Sequence, residues 1–259
     1  MITELAHKLK QNQFLFEELV KRDFKQKYKR TLLGMGWSIL YPLLTLLILD
    51  FIFSNYFGAN IPHYPIYLFC GQLVYSYYNE STTSGMYSLM GNAGIFSKVN
   101  VPKYLFLLSK NVSSLINFFL TLCIFFIFVF LNDVPFTWKF LMLIFPIGCL
   151  VTFNIGVGLI ISALQVFFRD MSYLYGVFTM LLMYLSAIFY DINIVPDHYR
   201  YIFYLNPVYV YIKYFRVIVL NAQIPSLQYH LLCAGYALAA VLIGGFIYKK
   251  YNHMFLYYL

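Results

Sequence analysis

FLMLIFPIGCLVTFNIGVGLIISALQVFF, residues Phe140 to Phe168, holds no charged side chain between Lys139 and Arg169. At 1.5 Å per residue, one helix of that length exceeds a hydrocarbon core of about 30 Å, so it must tilt or project into the cytosol. Pro146, Gly148, Gly156 and Gly158 make it the span most inclined to bend or to pack closely on a neighbour.

Working outward, apolar runs of similar length lie on both sides. The expected spans are 37–56, 64–87, 104–130, 140–168, 171–190 and 231–248, the second with a polar inner end from Glu80 to Gly85. The reading is an all-α polytopic membrane protein with six transmembrane helices. Composition agrees: 61% of the 259 residues are hydrophobic, 11% are charged, and mean hydropathy is +0.70. That balance excludes an ordinary soluble enzyme, a disordered tail and a disulfide scaffold. Cys70, Cys123, Cys149 and Cys233 sit apart in apolar stretches and read as buried free thiols. No metal site and no nucleic-acid partner is expected.

Residues 1–36 read as a cytoplasmic amphipathic helix lying on the membrane face. Phe16, Val20, Phe24 and Tyr28 form its stripe, and Glu17 with Lys21 and Glu18 with Arg22 are favourable i,i+4 pairs. The first apolar run begins only near Trp37, so no cleavable signal peptide is expected. Residues 37–259 then form the transmembrane domain. Lys8, Lys10, Lys21, Arg22, Lys25, Lys27, Lys29, Arg30, Lys98, Lys103, Arg169, Lys249 and Lys250 gather on one side. Lys139, Arg200, Lys213 and Arg216 lie on the other, which puts both termini in the cytoplasm. Lys110, near the inner end of the third span, is expected to snorkel. Residues 195–220 are apolar enough for a seventh span, but Lys213 and Arg216 would each cost about 2.5–3.5 kcal/mol at a helix centre. Short outer re-entrant helices fit better, with Asn206 capping the second and Pro207 opening it.

The catalytic signatures sought are missing: no phosphate-binding loop, no HExxH, no G-x-S-x-G, no carboxylate pair at catalytic spacing. Asp50 and Glu80 are intramembrane acids at different depths, with nothing in the sequence to pair them with each other. The tyrosine load (26 residues) exceeds what two interfacial belts require.

The cytoplasmic punctuation carries a resemblance. Arg22-Asp23-Phe24-Lys25 leads to Lys27-Tyr28, then Leu33-Gly34 and Trp37, with Pro42 inside the first span. Phe167-Phe168-Arg169-Asp170 ends the fourth span, and Asn206-Pro207 is followed by Arg216. At these residues the chain resembles the membrane subunits of ABC exporters of polysaccharides: O-antigen, teichoic acid and some capsules. The resemblance covers nearly the whole chain. It departs at Val101-Pro102-Lys103, where Phe-Pro-Arg is frequent, at Lys27, where Arg is usual, and in the aromatic tail from His253 to Leu259.

The resemblance implies a homodimer of permease subunits in a bacterial inner membrane, driven by two separate ATP-binding subunits that hold ATP and magnesium. It implies no cofactor and no catalysis on this chain. The ATPase would dock on the loop after the second span at Ile95, Phe96 and Lys98, and at the turn of Arg169 and Asp170, which would either pair with the basic N-terminal helix or cap the fourth helix. A lipid-linked polysaccharide would enter beside the first span, its anchor diphosphate near Lys25, Lys27, Lys29 and Arg30. Aromatic faces suit sugar C–H groups, so Tyr41, Tyr75, Tyr77, Tyr78 and Phe153 are expected to line the channel. Competing readings are a drug or small-lipid exporter of the same superfamily, a membrane glycosyl- or acyltransferase, and a proton-coupled flippase. The last two would need more convergent ionisable groups than the sequence offers.

Overall fold

The computed structural model describes residues 12–57, 61–96 and 101–258, and no strand occurs among them. The chain enters through α1 (Gln13–Tyr28), α2 (Trp37–Phe57) and α3 (Tyr64–Met86). One turn of helix, α4 (Ala93–Phe96), precedes α5 (Tyr104–Leu131). A 3-10 segment, Trp138–Leu143, leads into α6 (Ile144–Phe167), and α7 (Met171–Leu185) follows. The short α8 (Tyr201–Tyr204) and α9 (Pro207–Val219) come before α10 (Leu227–Tyr251) and a final turn, α11 (Phe255–Tyr258).

Among the described residues four helical stretches are long and apolar enough to cross a membrane: Gly34–Ser54, Tyr104–Leu131, Trp138–Phe167 and Leu227–Tyr251. α7 is apolar but has only 15 residues. α3 has 23 residues but carries Gln72, Asn79, Glu80 and a Ser/Thr run. Most of its side chains are buried among other helices, where polar groups find protein partners instead of lipid.

α6 and α10 make the most extensive helix pair. A Cβ on Gly244 would lie 2.6 Å from the Gly156 carbonyl oxygen, and one on Gly156 would lie 2.7 Å from the Ala240 Cβ. The two backbones therefore touch directly, as small residues permit between helices in lipid. Pro146 falls in the first turn of α6, where its missing N–H breaks no interior hydrogen bond, so the expected bend has no cause there. A large apolar core unites α3, α5, α6, α9 and α10. A second cluster at one end joins Leu19 of α1, Leu89, the start of α5, the ends of α6 and α10, and Phe255 of α11. The aromatic tail is thus part of the base: Phe255 is fully buried and packs against Phe167 and Tyr248.

The fifth apolar run departs from expectation. Its helix stops at Leu185, and the backbone from 186 to 191 is irregular, with Ala187 at a φ of 48°. Four successive carbonyls there are captured by side chains of other elements. Arg216 donates to Ala187 at 2.8 Å and Ile188 at 2.9 Å, Tyr64 to Phe189 at 2.8 Å, and Tyr67 to Tyr190 at 2.7 Å. Asn206 caps α9 by accepting from the Val208 N–H at 3.0 Å, while its Nδ2 donates to the Leu185 carbonyl at 3.1 Å. α9 has 13 residues, about 20 Å, too short to cross the bilayer core. Two thiols also differ from expectation: Cys123 is exposed on α5 and Cys149 is only partly buried, whereas Cys70 and Cys233 are buried.

Two predictions follow from this packing. Gly156→Leu forces α6 and α10 apart and is expected to abolish folded yield in detergent, while Gly148→Ala, with open space around its Cβ, leaves the melting temperature unchanged or slightly raised. Arg216→Met strands the Ala187 and Ile188 carbonyls and is expected to cost at least about 3 kcal/mol of stability, read by thermal unfolding beside the parent protein.

Candidate functional site

α1 meets the bundle through a carboxylate. Asp23 is almost fully buried, accepts from Ser109 Oγ at 2.9 Å, and pairs with Lys110 at 3.0 Å and Arg22 at 2.8 Å. Lys110 therefore does not snorkel alone, as expected from its position; a buried acid holds it. The same acid draws Arg22 away from Glu18, which pairs with Lys21 at i,i+3 instead. Glu17 accepts from Gln13, so neither expected i,i+4 ion pair forms. The buried face of α1 runs through Leu19, Asp23 and Tyr28, beside the expected stripe of Phe16, Val20 and Phe24. Phe24 still packs edge-on against Tyr28, centroids 5.7 Å apart.

Below α1 opens a cavity of about 410 Å³ between the end of α1, the start of α2, α3 and α5. Its polar end is one connected network. Tyr28 Oη donates to Asn117 Oδ1 at 2.8 Å, Asn117 Nδ2 donates to Glu80 Oε1 at 2.8 Å, and Lys27 pairs with Glu80 Oε2 at 2.8 Å. Burial holds the Tyr28 phenol above its ordinary value, so it stays a donor. Trp37, Tyr41 and Pro42 of α2 form another wall, with Gln72 and Ser76 of α3 opposite. An apolar slot with a charged, hydrogen-bonding end suits an amphiphile with a polar head. α2 itself is thinly covered: Tyr41, Ile48 and Phe51 are exposed. α7 likewise exposes Tyr173, Val177 and Met180.

The structure redistributes the expected site residues. Tyr41 is 68% exposed and lines the cavity mouth, but Tyr75, Tyr77, Tyr78 and Phe153 are buried inside the single chain. Tyr75 donates to the Thr179 carbonyl at 2.9 Å and Tyr77 to Asn111 at 3.1 Å. The Tyr78 and Tyr175 hydroxyls meet at 3.1 Å, and Phe153 packs on Tyr78 and Tyr211. Within the single chain these four are core residues, their rings and the three hydroxyls engaged in helix packing. Tyr77 alone also touches the inner wall of the cavity.

Of the basic residues, Lys27 is committed to Glu80, while Lys25, Lys29 and Arg30 are exposed. Ile95, on α4, packs against the basal apolar cluster. Phe96 ends that helix, its side chain outside the described set, and Lys98 lies outside the described residues. Arg169 and Asp170 are exposed at the α6–α7 turn. Neither forms an ion pair among the described residues, and Asp170 does not cap α7 with its side chain. Asp50 Oδ1 is buried without a hydrogen-bond partner among the described residues.

Asn117 and Asp23 went unassigned from sequence. A signal was present for Asn117: Ser109, Ser113, Ser114, Asn117 and Thr121 form a polar helical stripe in an otherwise strongly apolar segment. That stripe faces α1 and α3.

The architecture is that of the membrane half of a transporter, and the comparisons agree. The family model described as ABC-2 type transporter matches residues 15–220, and the chain belongs to that family. Two O-antigen export system permease proteins RfbA from Klebsiella pneumoniae are 29% and 30% identical to it, each alignment covering 93% of this chain and 95% of the relative. An RfbA from Myxococcus xanthus is 27% identical over 74% of each chain, and the polysialic acid transport protein KpsM of Escherichia coli is 23% identical over 90% of this chain and 92% of its own.

Asp23→Ala leaves Lys110 without its buried partner and is expected to cost about 3 kcal/mol locally. The readout is trypsin cleavage within α1, expected to accelerate at least tenfold while the α6–α10 pair stays protected.

Proposed function

We propose that this chain is the membrane permease of an ABC transporter that exports a lipid-linked polysaccharide, O-antigen in the first instance, across a bacterial inner membrane. The observation that carries the reading is the likeness to O-antigen export permeases along 93% of the chain. A capsule-type polymer is the second reading, favoured by the likeness to a polysialic acid transport protein. α2, α3, α5, α6, α7 and α10 serve as the six spans, α8 and α9 as the outer re-entrant pair, and both termini lie in the cytoplasm. The burial of α3 and the unwound end of α7 explain why two of the six fall short of a free-standing span.

Two copies form the conduit, and two ATP-binding subunits, which hold ATP and magnesium, supply the work. They dock on Ile95, Phe96 and Lys98 and on the turn of Arg169 and Asp170. This chain contributes packing and no bond chemistry. The thinly covered faces of α2 and α7 support a lateral opening between copies. The 410 Å³ cavity beside α2 supports an entry point there, with Tyr41 against the first sugars and Lys25, Lys29 and Arg30 near the anchor diphosphate. Lys27 belongs to that group only when it leaves Glu80. Transport then requires that the nucleotide state of the partners favours one packing of these helices over another.

The test is reconstitution with the cognate ATP-binding subunit in vesicles. Export of lipid-linked polymer is expected only with both chains and ATP, and Lys98→Glu is expected to insert normally yet lose most export per ATP hydrolysed. Nucleotide hydrolysis by the permease alone, or normal export by Lys98→Glu, overturns the assignment of motor or dock respectively.

A further inference from the structure

At the end of the bundle away from α1 and α11, a second cavity of about 250 Å³ lies between the start of α3, the turn at 191–193 and one face of α9. Tyr209, Lys213, Arg216, Val217 and Leu220 line it at the spacing of a single helical face. Lys213 is partly buried in this wall and makes no hydrogen bond or ion pair among the described residues. Arg216 spends its donors on the neutral carbonyls of Tyr67, Ala187 and Ile188 and forms no ion pair among the described residues. The acid on the wall, Asp191, is taken up by its own turn, accepting from Asn193 N at 3.1 Å and Asn193 Nδ2 at 3.0 Å. Two cations, Arg216 held in place and Lys213 without a partner of its own among the described residues, therefore face a small, half-enclosed space with one carboxylate, which leaves a net positive charge.

We propose that this cavity binds a phosphoryl group, with Lys213 as the residue that grips it and Arg216 as a fixed field behind it. The volume falls below the roughly 300–1,000 Å³ of sites that hold whole small molecules, so the occupant is one compact group and not a stretch of sugar chain. A compact ammonium on a flexible stem suits a phosphate as a point charge, and partial exclusion of water strengthens the attraction. Under the topology proposed above, the site sits at the outer leaflet. Its phosphate then comes either from a phospholipid headgroup of that leaflet or from a phosphate borne by the exported molecule.

The permease–ATPase complex in detergent separates these sources. Retained phosphatidylglycerol is counted by native mass spectrometry, and inorganic phosphate and pyrophosphate are titrated by thermal shift. Lys213→Met is expected to weaken binding at least tenfold, Lys213→Arg to stay within about threefold of the parent, and Lys139→Met, whose lysine donates to the Ala222 carbonyl outside the cavity, to bind as the parent does. Loss confined to phosphatidylglycerol assigns the site to the leaflet, and loss confined to the soluble anions assigns it to cargo. The unaltered complex gives a reading that no folding defect can obscure: phosphate or phosphatidylglycerol is expected to slow amidination of Lys213 severalfold, measured by peptide mass mapping. Equal binding by Lys213→Met and the parent, equal loss in Lys139→Met, or no protection of Lys213 overturns the proposal. None of these readings requires export, so their failure is distinct from failure of the transport assignment.

Discussion

Arg216 gathers three backbone carbonyls from two distant segments, and the end of the bundle formed by the start of α3, the end of α7 and α9 is arranged around that grasp. A helix that stops inside a membrane leaves carbonyls that lipid cannot satisfy. Here the end of α7 unwinds after Leu185, and its oxygens turn inward to a guanidinium and two tyrosines. The guanidinium also lies 3.4 Å from the centroid of the Tyr67 ring, so its charge meets a π face as well as carbonyl dipoles. Gly71 permits this: a Cβ there would lie 3.0 Å from Arg216 Nη2 and 3.1 Å from Ile188 Cγ2. α9 is thereby tied to α3 and to the segment after α7 at once.

The end of the bundle that carries α1 depends on a different device. α1 is amphipathic only weakly, and its grip on the bundle comes from Asp23 and Tyr28 reaching Ser109, Lys110 and Asn117 on α5. Leu19 adds apolar packing to those polar bonds, with Leu15 and Phe16 beside it. The cavity bounded by Lys27, Glu80 and α2 lies at that joint, where movement of α1 would reach the first membrane helix. The basal apolar cluster adds a second joint, because Ile95, Leu19 and Phe255 share one packed core. Force applied at α4 therefore meets both ends of the chain.

Much of this was legible in the residues. Hydropathy placed the starts of α2, α3, α5 and α7, since a switch from charge to apolar run is a local property. Asn206-Pro207 announced the start of α9 through the capping chemistry of those two side chains. The aromatics are ambiguous in the sequence for a physical reason. Tyrosine serves equally as a sugar platform, an interfacial anchor or a donor to a stranded carbonyl, and composition does not separate these uses. Tyr64, Tyr67, Tyr75, Tyr211 and Tyr236 all donate to backbone carbonyls on other elements. Part of the tyrosine load is therefore a way of bonding backbone carbonyls inside an apolar bundle.

By itself the sequence determined that the chain is helical, that it lives in lipid, and where four of its apolar helices begin. These follow from hydrophobic free energy and hydrogen-bond saturation, which act along the chain without reference to distant residues. Tertiary structure alone decided which polar groups meet. Tyr28 finds Asn117 across 89 positions and Arg216 finds the Tyr67 carbonyl across 149. Such pairs form only when helices cross at particular depths, and the crossing is set by close contacts such as Gly156 on Gly244. No local pattern encodes that registry, so the cavities and their charges became visible only once the helices were packed.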